Sequence, residues 1–167
     1  MAVTQQRIVV APDEGETVWL GGLGVIFKIA AEETGGAFAV VEHPIEAGRL
    51  VPPHIHENED ELSYVLEGEI GARVGDREVS VGPGSYLMKP RGIPHTFWNA
   101  GPAPARLLEI IFPAGFEQFF KELGALFASG DFTPEGREAL ARTYDHYFVT
   151  DWVPELKARY NLKLLGE

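Results

Sequence analysis

The chain has 167 residues, of which 45% are hydrophobic and 23% charged, as expected of one globular domain rather than a disordered or fibrous chain. Its net charge of −11, with the 14 basic residues scattered, argues against nucleic acid as a partner. No apolar run approaches the ~20 residues that span a bilayer, so no membrane association is expected. There are no cysteines, so any metal must be held by nitrogen and oxygen donors. Met1–Arg7 lacks the basic and apolar regions of a signal peptide, which makes a cytoplasmic location the expectation.

Roughly the first two thirds read as short strands. Arg7–Ala11, Thr17–Leu20, Val25–Ala30 and Ala37–His43 are rich in Val, Ile, Phe and Ala, with Gly-Gly breaks at Gly21-Gly22 and Gly35-Gly36. Leu62–Leu66, Glu69–Val74 and Glu78–Val81 follow, the last two joined by a turn around Gly75-Asp76. Ser85–Lys89, His95–Asn99 and Arg106–Phe112 complete a set that suits a sandwich or barrel. After Pro113 the period changes. Phe116, Phe119, Phe120, Leu123 and Phe127 form one stripe of an amphipathic helix, ended by Ser129-Gly130-Asp131. Thr133-Pro134 opens a second helix, which Leu140, Tyr144, Tyr147 and Phe148 extend with helical spacing. Pro154–Tyr160 reads as a short last helix. The expected organisation is a β-barrel over 1–113 and a helical extension over 114–167, packed on the barrel or on a partner subunit.

Four of the five histidines, His43, His54, His56 and His95, lie in the strand-rich part, and His54 and His56 stand beside an acidic cluster. In an extended strand, residues two apart share a side. His54 and His56 therefore aim two imidazoles at one point, and imidazole with a nearby carboxylate makes a mixed nitrogen/oxygen metal site. Glu57 and Glu59 read as solvated loop charges, His43 as a structural histidine, and His146 as a surface or interface residue on the second helix.

Gly48-x5-His54-x-His56-x4-Glu61-x6-Gly68 resembles the first motif of the cupin superfamily at every fixed position. Gly84-x5-Pro90-x-Gly92-x2-His95-x3-Asn99 resembles the second. The likeness is close over about Val40–Phe112, and the Phe112–Glu117 segment is similar to bacterial single-domain cupins of the quercetin 2,3-dioxygenase-like group. This resemblance implies a mainly β fold, the double-stranded β-helix or jelly-roll barrel. It also implies one divalent metal per chain held by His54, His56, Glu61 and His95. Motif spacing leaves Asp60 as the rival to Glu61, with glutamate the usual ligand there. Gly48, Gly68, Gly84 and Gly92 are expected to shape turns and do no chemistry.

Three neutral imidazoles and one carboxylate leave a charge of about +1 on a divalent ion and, in octahedral geometry, two open positions. Fe or Mn is expected, with Ni, Zn, Co or Cu compatible. The resemblance implies a dioxygenase acting with O2 on an aromatic or flavonoid-like small molecule, Glu61 acting as base. The alternatives are a metal-dependent isomerase, epimerase or lyase on a small polar substrate, and a binding cupin without catalysis. Strand alternation puts Ser63, Val65 and Phe97 on the inner wall, and Tyr86 and Met88 are assigned to it as well. Lys89 and Arg91 are the only basic residues beside the second motif. Apolar aromatic surface at Phe116–Phe127 and Tyr144–Phe148 makes a homodimer the expectation.

Overall fold

In the computed structural model residues 7–167 are described; Met1–Gln6, part of the stretch read for a leader, lies outside them. Strands β1 (Thr17–Trp19) and β2 (Gly24–Ile29) precede one turn of helix, α1 (Ala31–Thr34). Then come β3 (Ala39–Ile45), β4 (Arg49–Leu50), β5 (His54–His56), β6 (Asp60–Glu67), β7 (Ile70–Val74), β8 (Arg77–Val81), β9 (Tyr86–Lys89), β10 (His95–Asn99) and β11 (Ala105–Phe112). The tail holds α2 (Glu117–Ser129), α3 (Pro134–Arg142), β12 (His146–Phe148), a 3-10 turn at Thr150–Trp152, α4 (Val153–Tyr160) and β13 (Lys163–Leu164).

Two sheets enclose the core. One runs β1-β2-β3-β11-β6-β9; the other runs β12-β5-β10-β4-β13, with β7 also on β10 and β8 on β7. Every pairing is antiparallel except β13 on β4. The ladders do not close into a continuous barrel, so the jelly roll is two facing sheets. Alternation builds the interior: along β6, Glu61, Ser63 and Val65 are buried while their neighbours are not, and along β11 so are Leu107, Glu109 and Ile111. In register, Glu61 lies opposite Ile111 and Ser63 opposite Glu109, so polar inward positions of the two strands meet at one depth.

The sequence-based expectations differ from the structure at both ends. Arg7–Ala11 is not a strand. The Lys28 ammonium takes the carbonyls of Ala11, Pro12 and Glu14, which curls this segment into a loop, and Arg7 pairs with Glu33. The second helix stops at Arg142, short of Tyr144 and Phe148. Asp145 adopts φ 50°, reversing the chain so that β12 finds backbone partners along β5, with His146 opposite His56 and Phe148 opposite His54. The 114–167 extension is therefore helix and strand together, and it contributes to the sheet that carries the histidines. The aromatic stripe of α2 turns inward: Phe116, Phe119 and Leu123 are buried in the main core, with Phe120 and Phe127 packed against it.

Other features agree with expectation. Thr133 caps α3, its hydroxyl accepting from Gly136 N at 2.9 Å, and Gly130 ends α2 in the left-handed region at φ 79°. Trp98 is covered by Leu156 of α4 together with Leu50 and Leu162. No helix among the described residues is long and apolar enough to cross a membrane. If α4 clamps the back of β10, truncating Leu156, which is fully buried, to alanine costs about 2–5 kcal/mol. Denaturant unfolding of Leu156→Ala measures this, and a change under ~0.5 kcal/mol rejects the clamp.

Candidate metal centre

His54 and His56 leave β5 on the same side because they are two residues apart. His95 enters from β10, directly opposite His54 in register, and Glu61 points in from β6. The structure brings one donor atom from each of the four within 4.8 Å of the others, and all four side chains are buried. A single ion with ligand bonds of about 2.0–2.2 Å joins donors so spaced after shifts of a few tenths of an ångström. Asp60 is not part of this group. It faces outward and accepts from the Arg91 backbone N–H and guanidinium, both at 2.8 Å.

Hydrogen bonds outside the cluster set its chemistry. His54 Nδ1 donates to the Pro52 carbonyl at 2.7 Å, and His95 Nδ1 to the Ile93 carbonyl at 3.1 Å. With those protons committed, each neutral ring presents its Nε2 lone pair to the interior. His95 Nε2 then lies 3.2 Å from Glu61 Oε2, and His56 Nε2 lies 3.3 Å from Glu61 Oε1. Lone pair facing carboxylate requires a cation between them. Burial lowers the pKa of His95, as it does far more strongly for His54, so the required charge is not readily a proton. Neither nitrogen of His56 has a hydrogen-bond partner among the described residues. The donor set thus fits one divalent metal ion.

Four further residues adjoin the site: Glu59 and His146, which sequence reasoning placed elsewhere, Lys89, noted only as basic, and Glu109, which it did not single out. Glu59, read as a solvated loop charge, is buried with Oε2 3.5 Å from His56 Nδ1, close but without a hydrogen bond between them. Lys89 lies opposite Glu61 in register and is 1% exposed. Its ammonium sits 3.0 Å from Glu61 Oε2 and 2.7 Å from Glu109 Oε1. Ser63 donates to Glu109 Oε2 at 3.0 Å. Burial alone would raise the Glu61 carboxyl, but Lys89 and the histidines outweigh it and hold the group well below the usual carboxylate range. Glu109 has fewer cationic neighbours, and burial pushes it up to about 7 against the pull of Lys89. Inward parity in Leu107-Leu108-Glu109-Ile110-Ile111, a single carboxylate in an apolar strand, was the available signal for Glu109.

His146 is the fourth. Its ring lies 4.6 Å from that of His54 and 4.8 Å from that of His56, it is buried, and its Nδ1 has no partner among the described residues. The earlier assignment to a helix surface failed because the pairing of β12 with β5 is a contact across some 90 residues that no local period reports. His43 is structural, as expected, Nδ1 donating to the Gly24 carbonyl at 3.0 Å.

The cluster opens on a cavity of about 60 Å³ walled mainly by Leu23, Phe97, Phe116, Phe119 and Phe120. Phe97 is on this wall as expected; Ser63 and Val65 point inward beneath it. Tyr86 and Met88 do not contribute: they are 70% and 47% exposed. The parity of β9 is set by Lys89 inward at Glu61, which sends Tyr86 and Met88 out along the sheet edge.

Residues 42–111 match the Cupin_2 family (Cupin domain). The chain is 28% identical over 111 residues to quercetin 2,3-dioxygenase of Bacillus subtilis (strain 168), a match covering 66% of this chain and a third (33%) of that relative's length. Among solved structures, the polyketide cyclase RemF from Streptomyces resistomycificus is 28% identical with a TM-score of 0.55, over 64% of this chain and 79% of that one. A predicted oxalate decarboxylase from Thermotoga maritima superposes with a TM-score of 0.58 at 24% identity, over 64% and 99% of the two chains. The fold is the cupin jelly roll, the match to the Cupin domain model spans residues 42–111, and the buried cluster is compatible with one divalent metal.

Elemental analysis checks the ligand set: His54→Ala and His95→Ala are expected to lose nearly all bound metal, Glu61→Gln less, and Asp60→Asn none. Full metal content in both histidine variants rejects the site. A second expectation concerns the buried charges. In metal-free protein Lys89→Met leaves Glu61 and Glu109 uncompensated and costs about 3–5 kcal/mol. Adding Glu109→Leu restores much of that, so a double variant no more stable than the single one in urea unfolding overturns the pairing.

Proposed function

We propose that the protein is a metal-dependent cupin enzyme, a dioxygenase acting on a small aromatic molecule. The observation that carries this reading is the buried His54/His56/Glu61/His95 set opening onto an apolar, phenylalanine-rich cavity. His54, His56, Glu61 and His95 would hold the ion, Fe or Mn being favoured. A bound ion supplies open coordination positions for a substrate oxygen and O2.

The chain's own residues define the rest. Glu61 is kept anionic by Lys89 and is placed to take the proton of a substrate hydroxyl. His146 is a second polar group beside the cavity, its Nδ1 without a partner among the described residues, though burial and the nearby His56 disfavour its charged form. The phenylalanines exclude water and bind a ring through apolar contact. The cavity, about 60 Å³, is far below the ~300 Å³ of pockets for drug-sized ligands, so it favours a molecule of about one ring over a flavonol.

A redox-neutral reaction, such as an isomerisation or cyclisation with the ion as Lewis acid, is a second reading. The Lys89–Glu109 pair beside Glu61 favours it, since three coupled groups provide a path for moving protons without oxidation. The likeness to a polyketide cyclase at 28% identity is compatible with it. An oxygen electrode separates the two. Protein loaded with Fe or Mn is expected to consume O2 with at least one member of a panel of hydroxylated single-ring aromatics, and no uptake with any of them sinks the dioxygenase reading. Turnover under strict anaerobiosis establishes the second.

A further inference from the structure

The family match ends at residue 111, yet three residues of the cavity wall come from the later segment α3–β12: Arg137, His146 and Phe148. Arg137 is unlike the other arginines of the described residues. All of them except the exposed Arg77 reach a carboxylate within 4.0 Å. Arg137 reaches none. Its Nε is buried without a hydrogen-bond partner among the described residues, and its guanidinium lies over the Phe148 ring at 4.5 Å. Phe148 in turn stacks edge-on with His146 at 5.0 Å, and His146 touches the His54 ring. An arginine fork, a ring and an imidazole therefore line the way from α3 to the candidate metal centre.

A guanidinium held partly out of water without an anion is costly, and a planar fork is the best side chain for taking a carboxylate in two parallel hydrogen bonds. The remaining wall is apolar and aromatic. We propose that Arg137 forms the acid-binding end of the substrate pocket, so that the protein takes a small carboxylic acid whose apolar body, one ring or less, lies between Arg137 and the His54/His56/Glu61/His95 cluster. This rests on the reading of the cavity as the substrate site and deepens it by naming the substrate class. The selectivity comes from a segment beyond the matched cupin domain, so it is a property of this chain rather than of the shared barrel.

The test is calorimetric binding to metal-loaded and metal-free protein, with benzoate and phenylacetate compared against benzamide and phenylacetamide. The amides keep the shape and remove the charge. Each acid is expected to bind at least tenfold more tightly than its amide in both forms of the protein. Arg137→Gln is expected to bring that ratio to about one with metal content unchanged, and Arg137→Lys to keep part of it. Equal binding of acid and amide by the parent protein overturns the proposal, as does failure of any acid to bind. An acid preference that survives Arg137→Gln and vanishes when the metal is removed assigns the carboxylate to the metal instead, which also overturns it. Failure of the parent protein to take up metal sinks the metal-centre reading separately, because the acid preference is read in the metal-free form as well.

Discussion

A carboxylate without water needs positive charge close by, and the interior of this protein is arranged around that need at Glu61. One oxygen faces His56; the other faces His95 and the Lys89 ammonium. Glu109 balances Lys89 from the next strand, and Ser63 donates to Glu109. A network of this kind is stable only when every member is satisfied. Neither nitrogen of His56 has a partner among the described residues, and the Nε2 lone pair of His95 faces Glu61, an arrangement compatible with one divalent cation.

The jelly roll is well suited to holding such a network. Glu109, Glu61 and Lys89 belong to β11, β6 and β9, three neighbouring strands of one sheet, while the histidines come from β5 and β10 of the other. Strand alternation fixes which side chains point inward, and register fixes their depth. Neither can drift by one residue without sending Glu61 to the surface and Asp60 inside. The backbone carbonyls of Pro52 and Ile93 then choose the tautomers of His54 and His95. Rigid strands and second-layer hydrogen bonds together prepare the donor set before any ligand arrives.

The tail changes what the barrel offers. Segments after the two motifs, α2, α3 and β12, wall the cavity with phenylalanines, His146 and Arg137. The cover is apolar except at those two residues. It limits the volume next to the metal centre and replaces a solvent-exposed mouth with a small chamber of defined polarity.

The side-chain period of two made His54 and His56 converge, and the resemblance to the two cupin motifs added Glu61, with Asp60 as rival, and His95. The strand-rich body, the α2 stripe and the Thr133 cap were legible for the same reason: they are written in local periods and local capping chemistry. The rival Asp60, the inward Lys89, the buried Glu59 and the outward Tyr86 and Met88 were decided by register between strands, which a single strand's pattern does not contain. His146 and Arg137 required more still. Their place depends on β12 finding the free edge of β5, and on α3 being carried over the cavity, contacts between segments far apart in the chain. Local sequence determined which groups could bind a metal; the packing of the tail onto the sheet decided what else those groups would face.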